Sequence, residues 1–185
     1  MSAKKHIEYD QKLAERIRLG DRNAFAQLYR TYYKDLCRFA FRYVRSPDLA
    51  EEMVQDVFLN IWRRHAEWQE GVNPKSYLFR SVRNRSLDYL KHRNVELKWE
   101  HESRSNESEN QTPSPDIIYE NEELTKAVQK AIERLPDRRR TIFLLSREHE
   151  LTYQEIAEVL EISIKTVETQ MGRSLKMLRE ILSRH

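Results

Sequence analysis

Residues 151–174 limit the fold more than any other stretch, because they predict two short helices that cross closely around a tight turn. The sequence is LTYQEIAEVLEISIKTVETQMGRS. Thr152 and Glu155 have the spacing of a capping box, and Ser163 suits the N-cap of a second helix reaching about Leu182. Close crossing needs small and medium apolar side chains, which we expect from Ile156, Ala157, Leu160, Ile162, Val167 and Leu175. The stretch predicts a helix-turn-helix.

The rest of the chain is also predicted to be helical. It has 185 residues with only three Gly and five Pro, and strand patterns are nearly absent. Apolar side chains recur at helical spacing over residues 25–43. Asp48 is the expected N-cap of another helix reaching His65, with Glu51 completing a capping box. Two more helices are expected at 74–93 and 136–147, each with a proline in its first turn.

A break in composition divides the chain. Residues 95–121 are rich in Ser, Asn, Glu and Pro, and nine acidic but only two basic residues lie between positions 95 and 123. This composition is typical of a flexible acidic linker, since ordered loops of such length are uncommon in compact domains. The expected fold class is all-α, with small helical domains at 7–94 and 122–185.

Composition also narrows the class of function. The single Cys37 excludes a disulfide within the chain and is expected to be a buried thiol, which fits a cytoplasmic protein. No apolar run reaches the roughly 20 residues that span a bilayer, and no signal-peptide segment is seen. There is no glycine-rich phosphate loop, and the six His lack metal-ligand spacing. We therefore predict no enzyme activity, catalytic residue, metal or cofactor.

The second helix of the helix-turn-helix carries side chains suited to DNA. If it enters a major groove, its first half must present donors and acceptors to bases and phosphates. The expected base-reading residues are Glu168, Thr169 and Arg173. The expected backbone contacts are Lys165, Thr166 and Gln170. For each of them, a solvated surface residue is the alternative.

The helix from Asp48 has two different faces. Its core stripe consists of Ala50, Met53, Val54, Val57 and Ile61. The opposite face mixes polar and apolar side chains, and Phe58 and Trp62 flank it. Its members are Glu52, Gln55, Asp56, Leu59 and Arg63. Such a face suits docking on a partner helix, although a solvated face with two partly buried aromatics fits the pattern equally well.

The helix from Pro74 is basic on its outer side. Five Lys or Arg residues lie between Tyr77 and Asn94 against the single acidic Asp88. Amide and aromatic groups are interleaved with them, so this surface can follow phosphates and stack unpaired bases. In the preceding loop, Trp68 and Asn73 are candidates to enclose a flipped base.

Three stretches together resemble an extracytoplasmic-function (ECF) sigma factor of bacterial RNA polymerase. AFAQLYRTYYKDLCRFAFRYVRSPDLAEEMVQDVFLNIWRR and NPKSYLFRSVRNRSLDYLKHR resemble its domain two. AIERLPDRRRTIFLLSREHELTYQEIAEVLEISIKTVETQMGRSLKMLRE resembles its domain four. The resemblance implies that residues 7–94 bind core RNA polymerase and recognise and melt the −10 element. It also implies that residues 122–185 read the duplex −35 element, across a linker at 95–121.

The resemblance assigns roles to individual residues. Core-polymerase binding falls on Gln55, Asp56, Leu59, Trp62 and Phe143. Contacts with −10 DNA fall on Trp68, Asn73, Arg80, Arg83, Asn84, Asp88 and Lys91. Contacts with −35 DNA fall on Lys165, Thr166, Glu168, Thr169, Gln170 and Arg173. The implied partners are core RNA polymerase, promoter DNA and an anti-sigma factor, which is membrane-anchored in many relatives, with no small-molecule substrate.

Two positions depart from the family pattern. Glu161 stands where the turn commonly has Gly, and a left-handed non-Gly residue costs on the order of 1 kcal/mol, so we expect a slightly rearranged turn. Glu168 stands where many relatives are basic, so their promoter preference does not transfer to this chain.

Two alternatives to the sigma-factor interpretation stay open at this point. A stand-alone helix-turn-helix regulator explains the second domain but leaves the helices from Asp48 and Pro74 without a role. A helical adaptor would be supported if the protein neither bound core polymerase nor changed its promoter choice.

Overall fold

The computed structural model describes residues 3–69, 71–101 and 122–183, with side chains at 8–69, 71–93 and 127–183. In these ranges the secondary structure is helical, which confirms the predicted all-α class. The helices are α1 Ala3–Arg18, α2 Arg22–Val44, α3 Pro47–Arg63, α4 Pro74–His101, α5 Glu122–Glu133, α6 Asp137–Arg147, α7 Tyr153–Leu160 and α8 Ile164–Leu182. A 3₁₀ turn at His65–Glu67 follows α3.

The chain divides into two compact units, Met1–Gln111 and Thr112–His185. In unit 1, α2 packs against α1, α3 and α4. In unit 2, α8 packs against α5, α6 and α7. The division into two helical units agrees with the predicted fold class, whereas the predicted limits and roles of the domains stay predictions.

The core of unit 1 forms where the apolar stripes of its helices meet. Full burial of one large apolar side chain contributes about 1.5–3 kcal/mol to folding, so this core fixes how α3 and α4 are held. The largest buried side chains of unit 1 are Ile17, Leu28, Leu36, Phe39, Met53, Val54, Leu78 and Phe79. Cys37 is a half-buried free thiol, and burial raises the pKa of its sulfur.

The start of α3 differs from the prediction. Ser46 is the N-cap, and its Oγ accepts a hydrogen bond from the N–H of Leu49 at 3.4 Å. Pro47 occupies the first helical position, for which its fixed φ is suited. The predicted N-cap role of Asp48 is therefore wrong by two residues. Asp48 instead lies in the first turn, where its negative charge interacts favourably with the helix dipole.

The end of α4 also differs from the prediction. The helix was expected to stop near Arg93, but it continues to His101, into the stretch predicted to be linker. Residues 94–101 contain neither Gly nor Pro and include Glu, Leu and Lys, which favour helix, so a polar composition alone does not end it. The rest of the predicted linker, 102–121, lies outside the described residues.

The core of unit 2 gathers around one face of α8. Val167, Met171, Ser174 and Leu178 form a buried stripe with helical spacing. Ile156 and Ala157 are buried as predicted, whereas the prediction for Leu175 is wrong, because its side chain is 40% exposed. Leu175 follows Ser174 by one residue and is therefore rotated off the buried stripe.

Candidate functional site

The first helix of the helix-turn-helix, α7, begins at the predicted capping box. The N–H of Glu155 donates to Thr152 Oγ1 at 3.2 Å, and Glu155 Oε2 accepts from the N–H of Thr152 at 2.7 Å. The Thr152 hydroxyl lies 2.9 Å from the same oxygen. Only 5% of Glu155 is exposed, so the box is part of the packed unit rather than a frayed helix end.

The turn between α7 and α8 keeps its left-handed conformation. Glu161 has φ 56° and ψ 48°, and the N–H of Ile162 donates to the carbonyl oxygen of Ala157 at 3.0 Å. Ser163 Oγ then accepts from the N–H of Thr166 at 3.1 Å and starts α8, as predicted. The expectation of a rearranged turn was wrong, because the turn holds Glu161 in the conformation that glycine adopts without strain.

The predicted −35 residues lie on the side of α8 away from its buried stripe. Lys165, Glu168, Thr169 and Arg173 are exposed, while Thr166 and Gln170 are half-buried. The Thr169 hydroxyl donates to the carbonyl oxygen of Lys165 at 2.8 Å, which leaves its oxygen able to accept. This face of α8 can thus present both donors and acceptors to a DNA groove.

Arg139 belongs to this site although the sequence did not predict it. Arg139 of α6 donates through Nε to Gln170 Oε1 at 3.3 Å. Positions 138–140 form a visible run of three arginines, but no local pattern shows which of them faces α8. The exposed Lys176 also lies on the outer side of α8, beyond Arg173.

The outer face of α3 is partly apolar and partly charged. Gln55 is exposed and Leu59 is 45% exposed. The half-buried Asp56 accepts from Arg85 of α4 at 2.7 Å, a contact that the sequence did not predict. Gln55 also hydrogen-bonds the Tyr33 hydroxyl, although burial is the larger effect and raises the pKa of Tyr33 to about 12.

The aromatic residues beside this face have different surroundings. The prediction that Phe58 flanks the outer face was wrong: it is 2% exposed, and its ring centroid lies 4.8 Å from that of Tyr29. Trp62 is half-buried, with its ring 5.0 Å from Phe25 and stacked on His65 at 5.2 Å. A large aromatic residue packs well both in a core and at its edge, so the sequence pattern did not distinguish the buried Phe58 from the half-buried Trp62.

Phe143 was the polymerase contact predicted in unit 2. Its half-buried ring packs against a buried cluster of Ala131, Leu135 and Leu178. Most of its apolar surface is thus used within the unit, and its role in polymerase binding stays a prediction.

The predicted −10 residues on α4 form a polar row, of which all but Arg83 are exposed. Arg80, Asn84, Asp88 and Lys91 are exposed, and Lys91 lies 3.6 Å from Asp88. Arg83 is half-buried beside the Tyr43 hydroxyl, where it opposes the burial that raises the pKa of Tyr43. The row therefore mixes exposed cations with an arginine that is also held by the fold.

The loop residues Trp68 and Asn73 have structural contacts of their own. Asn73 Oδ1 accepts from the N–H of Lys75 at 2.9 Å and of Ser76 at 3.4 Å, which caps α4. The Trp68 ring lies 5.3 Å from that of Tyr77. Because the Asn73 oxygen is engaged in the cap, a DNA contact would have to use its amide nitrogen.

The part of the chain that the structure describes holds no group of His, Cys, Asp and Glu side chains that could bind a metal ion. None of its helices combines the length and the apolar character needed to cross a membrane.

Comparison with known protein families gives matches in both units. Residues 28–95 match Sigma-70 region 2, and residues 125–178 match Sigma-70, region 4. The first match includes α3 and most of α4, and the second includes the helix-turn-helix. The chain is an ECF sigma factor. A stand-alone regulator is not favoured, because it would give the region 2 helices no role.

Individual relatives agree with this assignment. The sigma factor is 25% identical over 179 residues to the ECF RNA polymerase sigma factor SigW of Bacillus subtilis, covering 93% of this chain and 96% of that protein. It is 27% identical over 172 residues to the ECF RNA polymerase sigma-E factor of Escherichia coli K12, covering 89% and 90%. The sigma factor is accordingly a transcription initiation factor.

Solved structures share the fold. CnrH in complex with the cytosolic domain of CnrY matches with a TM-score of 0.65 and 22% identity, covering 95% of this chain and 98% of that one. The sigma factor RpoE in complex with the anti-sigma factor NepR, from Bartonella quintana, matches with a TM-score of 0.63 and 24% identity, covering 86% and 96%.

Proposed function

We propose that this sigma factor docks on core RNA polymerase through the outer face of α3. The observation that carries the proposal is Leu59, a large apolar side chain that is 45% exposed on a helix whose other large apolar side chains are buried or half-buried. Gln55 and Asp56 lie one turn before it and supply polar groups. An apolar centre with a polar rim is the usual composition of a protein interface.

We further propose that α4 and its preceding loop read the −10 element, while α8 reads the −35 element. The exposed row from Arg80 to Lys91 supports the first assignment, since cations and amides suit phosphates and unpaired bases. The exposed face of α8 supports the second, with Glu168, Thr169 and Arg173 as base-reading residues. The functional domains would be 7–94 and 122–185, joined by 95–121.

An anti-sigma factor is the third proposed partner. In both solved structures named above the matching chain is bound to a second protein, which is the cytosolic domain of CnrY for CnrH and the anti-sigma factor NepR for the sigma factor RpoE. We infer that the present sigma factor acts in the cytoplasm, where core polymerase works, without catalysing a reaction itself.

Substitution of Leu59 tests the docking face. Leu59→Arg should reduce association with core polymerase by at least about 100-fold, because it would place an unpaired charge in the interface. Thr31→Arg adds the same charge at an exposed position of α2 and should bind like the parent. Gel filtration with core polymerase measures both, and circular dichroism checks the fold. Equal binding by the two variants would refute the docking face.

Substitution of Arg173 tests the reading face. Arg173→Ala should weaken −35 binding by about 1–3 kcal/mol and relax the base preference at one position. Arg179→Ala removes the same charge from an exposed position further along α8 and should change binding less. Holoenzyme binding to promoters with single −35 substitutions distinguishes the two. An equal loss on every sequence would show that Arg173 contacts phosphate instead of a base.

A further inference from the structure

We propose that Arg139 is a positioning residue for promoter binding, which holds the Gln170 amide so that it meets DNA only as a hydrogen-bond donor to a backbone phosphate. This inference rests on the proposed role of α8 in reading the −35 element. It adds a residue from outside the recognition helix to that site, and it states the kind of contact that Gln170 makes.

The contact joins two helices far apart in the sequence. Arg139 Nε on α6 donates to Gln170 Oε1 on α8 at 3.3 Å, across 31 positions of the chain. Both side chains are half-buried, so the pair lies at the edge of the α6–α8 packing rather than free in solvent. Packing of α6 on α8 therefore determines where the Gln170 side chain is held.

The chemistry of the two groups sets the orientation of the amide. A guanidinium has only donors, whereas a Gln side chain has an acceptor oxygen and a donor NH₂ of nearly the same shape. If the amide were flipped, its NH₂ would face the Arg139 N–H, donor against donor. Arg139 therefore selects the orientation with Oε1 toward α6, and the NH₂ group is left for other partners.

This orientation limits what Gln170 can recognise. Reading adenine in the major groove requires both the oxygen and the NH₂ of a Gln to face the base. With its oxygen turned toward Arg139, Gln170 presents its NH₂ group to DNA, and phosphate oxygens are the commonest acceptors there. The nearby guanidinium also polarises the amide and strengthens its N–H as a donor. Gln170 thus helps to position α8 on the DNA through a phosphate contact, without reading a base.

The neighbouring arginines supply a control for charge. Arg138 is exposed on the same helix. Arg140 instead donates to the carbonyl oxygen of Glu133 at 3.1 Å and pairs with Asp137. Removing Arg138 therefore takes one positive charge from the same part of unit 2 while leaving the Arg139–Gln170 contact in place.

The test uses full-length sigma factor with core polymerase and a promoter fragment selected by the parent holoenzyme from a pool randomised at −35. Arg139→Ala and Gln170→Ala should each weaken binding about 3- to 10-fold, and the double variant should bind within about twofold of Arg139→Ala. Arg138→Ala should bind within about twofold of the parent. Gln170→Glu keeps an acceptor for Arg139 but removes the donor, and should bind no better than Gln170→Ala. A repeated selection with Gln170→Ala should return the parent's −35 sequence.

Several results would overturn the inference. They are a double variant whose loss is the product of the single losses, an Arg138→Ala loss equal to that of Arg139→Ala, and a changed −35 base in the Gln170→Ala selection. Arg173→Ala, measured beside them, separates this inference from the proposed function. If Arg173→Ala weakens binding and the Arg139 and Gln170 variants do not, only the inference fails. If none of them weakens binding, the proposed role of α8 fails.

Discussion

At the scale of single residues, Asp21 joins two helices through one carboxylate. Its Oδ1 accepts from the N–H groups of Asn23 at 2.8 Å and Ala24 at 3.1 Å, which caps α2. Its Oδ2 lies 2.7 Å from Arg16 of α1. The hydrogen bond from Ala24 and then that from Arg16 lower the pKa of Asp21 below its ordinary value of 3.8. Folding therefore favours the ionised form.

The lowered pKa of Asp21 predicts a pH-dependent effect of its substitution. Asp21→Asn keeps a capping oxygen but loses the charge, so at pH 7 it should melt at a lower temperature than the parent. The advantage of the parent is present above the unfolded-state pKa and is lost as the pH falls through the lower folded-state pKa. The difference in melting temperature should thus shrink below about pH 3.8. A difference that stays constant down to pH 2 would contradict this origin.

The sequence predicted which residues occupy the candidate sites better than it predicted their partners. Lys165, Glu168, Thr169 and Arg173 are exposed because helical periodicity places them opposite Val167, which a local pattern can show. The pairing of Asp56 with Arg85 and of Arg139 with Gln170 depends on how separate helices pack. Such contacts span 29 and 31 positions and have no local signal.

At the scale of elements, the predicted helix start was right where a single residue could act as N-cap. It was wrong at α3, where two residues could. Thr152 and Ser163 cap α7 and α8 as expected, since no neighbouring residue offers a better oxygen. At α3 both Ser46 and Asp48 could cap, and Pro47 decides for Ser46 because proline suits the first helical position. At the end of α4, polar composition was mistaken for a stop signal, although Gly or Pro is what usually ends a helix.

The turn between α7 and α8 offers a stability prediction at the same scale. Glu161→Gly should raise the free energy of unfolding of unit 2 by up to about 1 kcal/mol, because glycine lacks the Cβ that is strained at φ 56°. Part of this gain is offset by the greater freedom of glycine in the unfolded chain. Glu161→Ala keeps the Cβ and should show no comparable gain. Thermal unfolding of both variants measures the effect, and equal stability of the two would assign it to the Glu side chain rather than the backbone.

At the scale of the whole molecule, unit 1 brings two proposed surfaces together. The polymerase-docking face lies on α3 and the −10 row lies on α4, and the Asp56–Arg85 ion pair connects the two helices at 2.7 Å. The side chains are 37% and 47% exposed, so the pair contributes at most about 1 kcal/mol to folding. Asp56 therefore has two candidate roles: direct contact with polymerase, or support of α4.

A charge swap separates the two roles of Asp56. Asp56→Arg alone sets two guanidinium groups against each other, and Arg85→Asp alone does the same with two carboxylates, so each should lower the melting temperature slightly. The double variant restores an ion pair of reversed polarity and should recover that stability, while its docking face carries Arg where the parent carries Asp.

Because we propose that Asp56 contacts polymerase directly, core association measured by gel filtration should be lost in Asp56→Arg and should stay lost in the double variant. Arg85→Asp should still bind, since its docking face retains the carboxylate of Asp56. Recovery of core binding in the double variant would instead show that Asp56 acts by holding α4, and would leave Leu59 as the centre of the docking face without a charged contact at position 56.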